Sequence, residues 1–356
     1  MRFYQFILTH FAVLYGIVML VRNWLFDCGC LPSRGFDVPI ISIWNLSCGG
    51  TGKTPHAEYL IRLLKSRFLL ATLSRGYGRS GKGFILASAK SAYKYTGDEP
   101  LQFAKKFADI KVAVDENRIH GIEELQRKFP NLDVLILDDA FQHRYVKPGL
   151  SVLLTDFHNL YTDDFVLPSG TLREFSSGAR RADILIVTKT PKIFSPITRR
   201  RILDELKPLP HQKVFFSYIQ YLDPEPLNPD HKSYAPLKCT MILLFSGIAN
   251  DYPLREYLER HCRTLITMKF PDHHPYSSED LHLIKSRFDE LLSRNKVIFT
   301  TEKDMMRLRT PELALFLKRL PVFYLPIEIC FHGESGAEFN KIIMEYVLHS
   351  KKYHPE

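Results

Sequence analysis

Residues 47–54 have the types and the spacing of a loop that binds the phosphates of a nucleotide. In order they are Ser47, Cys48, Gly49, Gly50, Thr51, Gly52, Lys53 and Thr54. The last three match the end of the pattern G-x-x-x-x-G-K-[ST], and Ser47 stands where that pattern begins with glycine. Such glycines let backbone N–H groups surround an anion, the lysine neutralises phosphates, and the threonine hydroxyl binds Mg²⁺. We therefore predict nucleotide binding; the alternative is a glycine-rich turn without a ligand.

A second part of the site is expected where another buried strand ends. The apolar run 132–137 is followed by Asp138 and Asp139. Because neighbouring side chains of a strand point to opposite sides, one carboxylate can reach Mg²⁺ while the other anchors a nearby loop. The sequence leaves open which one does so, and a solvated Asp-Asp turn is the alternative. No Lys-x-Asp motif of the kind that binds guanine occurs at 188–191 or 301–304, so ATP is favoured over GTP.

Further polar clusters fall in loops, where open α/β sheets bind their ligands. Each is weak evidence alone, because an arginine in such a loop is often a surface residue and an aspartate often caps a helix. The clusters are 74–78, 97–100, the pair Gln142 and His143, 167–174, and 270–274 in the second half of the chain.

Short apolar runs alternate with amphipathic segments of helical length along the chain. Runs rich in Val, Ile and Leu lie at 38–44, 69–74, 111–114, 132–137, 151–155 and 184–188. This alternation is typical of a parallel sheet covered by helices on both faces. Together with the loop at 47–54, it predicts an α/β fold of the P-loop NTPase type.

A change of composition divides the chain. Residues 212–238 contain many Ser, Tyr, Asp and Pro residues, and a second series of strands and helices begins near residue 239. We predict an N-terminal hydrophobic helix at 1–26, a nucleotide-binding core at 27–211, a linker or hinge at 212–238, and a smaller C-terminal α/β lobe at 239–356.

The first residues form an apolar segment, 3–21, between Arg2 and Arg22. As a helix it would measure ~28 Å, which is marginally enough to cross the hydrocarbon core of a bilayer. The flanking arginines and nearby aromatic residues favour a membrane-associated helix. A hydrophobic helix that covers the core of a soluble domain is the alternative.

The composition excludes a disordered or fibrous chain. Of 356 residues, 45% are hydrophobic, and 48 Lys and Arg against 39 Asp and Glu give a net charge of +9, which suits an anionic partner. The basic runs at 180–181 and 199–201 lack interleaved aromatic residues, so nucleic acid is not expected. Six scattered cysteines indicate reduced thiols in the cytosol and no zinc site.

Taken together and in this order, the motifs resemble the tetraacyldisaccharide 4′-kinase family, the lipid A 4′-kinases of Gram-negative bacteria. The resemblance runs from the apolar N-terminus and residues 45–55 through the loop clusters to 301–304. It implies transfer of the ATP γ-phosphate to the 4′-hydroxyl of a tetraacylated glucosamine disaccharide 1-phosphate. It also implies a monotopic protein on the cytoplasmic face of the inner membrane, in contact with membrane lipids; we expect a monomer.

The resemblance also assigns residues to roles. Asp98 corresponds to the proposed base and His273 to its partner. Further matching positions are Arg173 and Glu174, a pair in the active site; Lys53 and Thr54, which hold phosphates and Mg²⁺; Asp138 and Asp139 at the metal; and Gln142 and His143 beside it. The chain departs from many relatives at 140–141, where it has Ala-Phe, a change expected to affect packing.

The main alternative is a membrane-recruited ATPase of the deviant P-loop class, without a lipid substrate. Loops of that class carry a lysine directly before the glycine pair, where this chain has Cys48. The kinase is therefore favoured. Because Asp98 and His273 fall in different predicted lobes, we expect closure of the lobes to bring them together and exclude water.

Overall fold

The computed structural model of the chain describes residues 3–139, 143–231 and 235–352. Within these residues the strands form two sheets. The strands are β1 (Ile40–Asn45), β2 (Leu70–Ser74), β3 (Ile85–Ala87), β4 (Lys111–Val114), β5 (Val134–Asp138), β6 (Leu150–Asp156), β7 (Ile184–Thr188), β8 (Lys213–Tyr221), β9 (Glu225–Pro226), β10 (Met241–Ser246), β11 (Thr264–Lys269), β12 (Lys296–Thr301), β13 (Val322–Leu325) and β14 (Ile327–Phe331). The helices are α1 (Phe3–Asp27), α2 (Lys53–Leu64), α3 (Tyr93–Thr96), α4 (Asp98–Lys106), α5 (Arg118–Lys128), α6 (Pro196–Leu206), α7 (Tyr252–Glu259), α8 (Ser278–Asp289), α9 (Glu302–Leu308), α10 (Pro311–Leu317) and α11 (Ser335–Lys352).

The larger sheet has the strand order β14-β8-β7-β6-β1-β5-β2-β4-β3. All neighbouring strands pair in parallel except β14 and β3, the antiparallel strands at the two edges. Every residue of β1 and β5 is buried, and alternate side chains of β1 pack against opposite layers: Ile41 against α2, and Ile40 against α5. The predicted parallel α/β fold with helices on both faces is confirmed.

The smaller sheet has the order β11-β10-β12-β13-β9, parallel apart from the short strand β9. Its interior strand β10 also buries both faces, with Leu243 against α8 and Leu244 against α7. It is therefore a second, smaller α/β lobe with its own core, as the sequence predicts for this part of the chain.

The chain passes between the lobes at positions that differ from the predicted ones. Strand β8, inside the predicted linker 212–238, belongs to the larger sheet, and β14 returns from the second lobe to pair with it. Helix α11 then packs on the larger sheet through Phe339, Ile343 and Val347. The predicted lobe at 239–356 thus includes two elements, β14 and α11, that belong to the first lobe. The change of composition begins near the end of β8, and the apolar faces of β14 and α11 do not reveal which sheet they cover.

Helix α1 packs one face on the larger lobe and leaves the other exposed. Ala12 and Met19 are buried, and a Cβ atom on Gly16 would lie 2.5 Å from the ring of Phe175, so the helix approaches that ring closely. The opposite face exposes large apolar side chains: Phe11, Leu14, Ile17, Val18, Val21 and Trp24. Residues Leu8–Asp27 are long and apolar enough to cross a membrane.

Candidate active site

The loop between β1 and α2 has the backbone geometry of a phosphate-binding loop. Gly49 and Gly52 have φ angles of 128° and 90°, in the region that side chains rarely adopt. Gly52 precedes the first residue of α2, so the loop leads directly into a helix N-terminus. His56 braces the turn, with Nδ1 2.7 Å from the Gly52 carbonyl and Nε2 3.0 Å from the Ser217 hydroxyl. Burial lowers the pKa of His56 to about 4, which keeps this brace neutral.

The start of the loop is held to a neighbouring loop by backbone contacts. The Cys48 amide donates to the Thr171 carbonyl at 2.7 Å, and the backbones of Ser47 and Leu172 pair in antiparallel orientation. The Thr51 carbonyl accepts a hydrogen bond from the Thr188 hydroxyl at 2.9 Å, so β7 also supports the loop.

The charged residues of the loop lie in one network with Asp139 and Arg173. The Lys53 ammonium donates to the Asn45 side chain at 2.9 Å and lies 3.7 Å from Asp139 Oδ2. Arg173 Nη1 donates to Asp139 Oδ1 at 2.9 Å. Burial would raise the pKa of Asp139, but these two cations outweigh burial and lower it. Asp139 therefore anchors a neighbouring loop, one of the two roles expected for the adjacent carboxylates.

Asp138 has the surroundings expected of a metal ligand. It is buried at the end of β5, and neither carboxylate oxygen has a hydrogen-bond partner among the described residues. Burial, followed by the charge of Glu99, raises the pKa of Asp138 to about 7. A buried carboxylate without partners is costly unless a cation binds it.

The donor set suits Mg²⁺ bound jointly by protein and phosphates. The described residues contain no cluster of three or more His, Cys, Asp or Glu side chains able to hold a metal. Mg²⁺ commonly uses one or two protein oxygens and completes its octahedron with water and substrate phosphates. Asp138 and the Thr54 hydroxyl fit that arrangement. Asp139, also predicted at the metal, contacts Lys53 and Arg173 instead, and Gln142, the fourth predicted metal residue, lies outside the described residues.

Asp98 and His273 are brought together across the two lobes. Asp98 begins α4, directly after Gly97 with a φ of 90°, and His273 follows the smaller sheet's β11. His273 Nδ1 lies 2.9 Å from Asp98 Oδ2. Burial would raise the pKa of Asp98, but the hydrogen bond with His273 and nearby cations lower it; the same bond raises the pKa of His273.

Three further residues line this junction, and the sequence analysis did not single them out. Glu99 accepts a hydrogen bond from the Thr54 hydroxyl at 2.9 Å and forms a close ion pair with Lys303. Arg307, 2% exposed, places Nε 3.4 Å from Asp98 Oδ2. The sequence did contain a signal for them: Glu99 and Lys303 belong to the motifs at 97–100 and 301–304, and Arg307 follows the second motif by one helical turn.

The Glu174 side chain contacts residues outside the phosphate loop. Its carboxylate pairs closely with Arg181 and accepts a hydrogen bond from Asn23 of α1 at 2.9 Å. The neighbouring Arg173 carbonyl accepts a hydrogen bond from the Tyr15 hydroxyl of the same helix at 2.8 Å.

His143, predicted beside the metal, is partly buried, and burial, with the charges of Arg118 and Arg75, lowers its pKa to about 4.

Together these groups define a P-loop phosphotransferase whose candidate site lies at the junction of two lobes. Residues 4–347 match the family described as tetraacyldisaccharide-1-P 4′-kinase, LpxK. The chain belongs to this family.

Curated relatives and a solved structure are similar to this chain over nearly its whole length. The chain is 46% identical over 346 residues to the tetraacyldisaccharide 4′-kinase of Bacteroides thetaiotaomicron, covering 94% of this chain and 91% of that one. It is also 46% identical to the enzyme of that name from Flavobacterium johnsoniae, with 96% of each covered. The crystal structure of LpxK from Aquifex aeolicus in complex with ATP matches with a TM-score of 0.72 and 29% identity, covering 96% and 99% of the two chains.

Membership of the family gives the activity. The chain is an ATP-dependent lipid A 4′-kinase, so the sequence-based prediction is confirmed and the membrane-recruited ATPase is not favoured.

Proposed function

We propose that Asp98 is the general base that accepts the proton of the 4′-hydroxyl of tetraacyldisaccharide 1-phosphate as the ATP γ-phosphate is transferred. A sugar hydroxyl has a pKa far above 7, so it needs a carboxylate within hydrogen-bond reach when the new P–O bond forms. The observation that carries this role is the 2.9 Å contact between Asp98 and His273, which holds the carboxylate next to Glu99, the residue that contacts Thr54 of the phosphate loop. His273 orients Asp98 and keeps it ionised.

The remaining groups bind and neutralise the phosphates. The backbone of residues 47–54 and the Lys53 ammonium face the ATP phosphates, and Arg173, already fixed by Asp139, adds positive charge beside them. Glu174 holds the adjacent Arg173 segment against α1 through its contact with Asn23.

Mg²⁺ would be held by Thr54 and Asp138, with Gln142 as a further ligand. When bound, it would supply charge neutralisation at the β- and γ-phosphates. The chain's own contribution is the Asp138 carboxylate, which has no hydrogen-bond partner within the described part of the chain.

We further propose that α1 lies along the cytoplasmic face of the inner membrane and does not cross it. A face including Ala12, Gly16 and Met19 is packed on the lobe, so the helix cannot be surrounded by lipid. Its exposed apolar face suits the boundary between headgroups and acyl chains. ATP and the phosphate loop are then both in the cytosol. One chain supplies both lobes of the site, which fits a monomer.

The assignment of the base is tested with Asp98→Ala and Asp98→Asn. With γ-labelled ATP and the disaccharide 1-phosphate, we expect both to lower kcat by ~10²–10⁴-fold. ATP affinity, measured by calorimetry, should change little, because Asp98 contacts the second lobe and not the phosphate loop. Lost ATP affinity with normal turnover would contradict the role. Lys285→Met, at an exposed ion pair on α8, is the matched control.

A further inference from the structure

Helix α9 of the second lobe presents a row of charged side chains to α4 of the first. Thr301 at the end of β12 caps α9 by accepting a hydrogen bond from the Asp304 amide. The helix therefore begins at the edge of the smaller sheet that faces the first lobe. The pairs formed are Glu302 with Lys106 at 2.8 Å, Lys303 with Glu99 in close contact, and Arg307 with Asp98 at 3.4 Å.

Lys303 is the member of this row that reaches the phosphate loop. Its ammonium contacts Glu99 Oε1, the same oxygen that accepts the Thr54 hydroxyl at 2.9 Å. Lys303, Glu99 and Thr54 thus form a hydrogen-bonded chain of side chains from the second lobe to the first turn of α2. The carboxylates of Asp98 and Asp138 also lie within electrostatic range of the ammonium.

The direction of this chain matters for the Thr54 hydroxyl. A hydroxyl group has one proton and two lone pairs. When the proton is donated to Glu99, the lone pairs are directed away from that carboxylate and are free to bind a cation. Glu99 itself is held in place by the ammonium, because the ion pair fixes the oxygen that both donors share.

We propose that Lys303 is a positioning residue for phosphoryl transfer: by holding Glu99 against the Thr54 hydroxyl, it couples docking of the second lobe to the geometry of the phosphate loop. The inference rests on the proposed function of the site. It adds a component that the second lobe supplies in addition to His273.

Lys303 also balances the charge of the junction. Glu99, Asp98 and Asp138 lie near one another, and the cations that face them are Lys53 from the first lobe and Lys303 and Arg307 from the second; the His273 ring, charged when protonated, contacts Asp98. Loss of Lys303 would leave Glu99 without its closest counter-ion. The charge of Lys303 also helps to keep the pKa of Asp98 low.

The test compares Lys303→Met, Lys303→Arg and the double variant Lys303→Met/Glu99→Gln in the full-length protein. We expect Lys303→Met to lower kcat by ~10²-fold with little change in the KM for the lipid, because a positioning residue acts on the transfer step and not on ground-state binding. The acid limb of its pH–rate profile should move to higher pH, since Asp98 loses a cation. Lys303→Arg should retain most activity and the wild-type acid limb.

The double variant separates positioning from simple structural support. The amide that replaces the Glu99 carboxylate is neutral but can still accept the Thr54 proton, so the double variant should recover at least ~10-fold of the lost kcat. Lys106→Met, which breaks the neighbouring α4–α9 ion pair, is the matched control. It should lower thermal stability without moving the acid limb.

Two outcomes would overturn the inference. One is an acid limb that stays in place in Lys303→Met; the other is a double variant no more active than the single one. If those occur while Asp98→Ala remains inactive, the inference fails and the proposed base stands. If Asp98→Ala is fully active, the proposed function fails first.

Discussion

The two sheets use the carboxyl ends of their parallel strands in different ways. In the larger sheet, β1 leads into a loop whose glycines expose backbone N–H groups, and only a few side chains complete the phosphate site. In the smaller sheet, the corresponding ends of β11 and β12 lead to side chains that extend toward the first lobe, His273 and Lys303. Among the described residues, the phosphate-binding loop belongs to the first lobe, whereas the contacts of His273 and Lys303 join the two lobes. The first lobe thus carries the phosphate-binding loop, and the second adds side chains at the junction beside it.

The largest expected effect on activity comes from a substitution in the phosphate loop. Lys53→Met should reduce kcat/KM for ATP by about 10³-fold or more, because the ammonium opposes phosphate charge in both the bound and the transition state. Isothermal calorimetry should also show weakened ATP binding. Since Lys53 donates to Asn45 at 2.9 Å, Asn45→Ala is the control for the loop's conformation; an equally severe loss there would assign the effect to folding of the loop.

An intermediate effect is expected at the docked interface. His273→Ala should lower kcat by about 10–100-fold and leave ATP binding unchanged. The His273 hydrogen bond and charge lower the pKa of Asp98, so their loss raises that pKa and Asp98 becomes protonated at a higher pH. The acid limb of the pH–rate profile should therefore move upward.

His274→Asn provides the control for that experiment. The His274 ring contacts Asp280 at 2.9 Å within the second lobe, so the change should leave the acid limb in place. A shift of equal size in this variant would mean that the limb reports on the fold of the second lobe and not on Asp98.

The smallest effect on chemistry is expected at α1. Replacing the exposed residues Leu14, Ile17 and Val21 by serine should leave turnover of detergent-dispersed substrate within about twofold. Binding to vesicles containing anionic lipid should fall by at least ~10²-fold, because each side chain loses ~1.5–3 kcal/mol of apolar burial. The apolar exchange Leu14→Ile/Ile17→Leu/Val21→Ile should retain vesicle binding; unchanged sedimentation of the serine variant would argue against lipid contact through this face.

The contiguous part of the site could be predicted from sequence, because strand, glycines, lysine and threonine occur within one short segment. Asp98 and His273 could be paired only through the family resemblance, since no local pattern links residues 175 positions apart. The contact of Glu99 with Lys303 was missed for a similar reason: the motif at 301–304 is also that of an ordinary helix cap. Glu174 adjoins Arg173 in the chain, yet successive side chains diverge, and its carboxylate faces α1.

The return of β14 to the larger sheet has a mechanical consequence. The chain leaves the first lobe after β8 and re-enters it at β14, and these strands are paired, with the Leu222 amide bonded to the Pro326 carbonyl at 3.0 Å. The second lobe is thus an insertion between β8 and β14, and it is connected to the first lobe through this two-stranded ribbon. Because both connections pass through this ribbon, it links the second lobe, with His273 and Lys303, to the larger sheet. The lobe could therefore be deleted as a unit: joining residue 222 to residue 326 would retain every strand of the larger sheet.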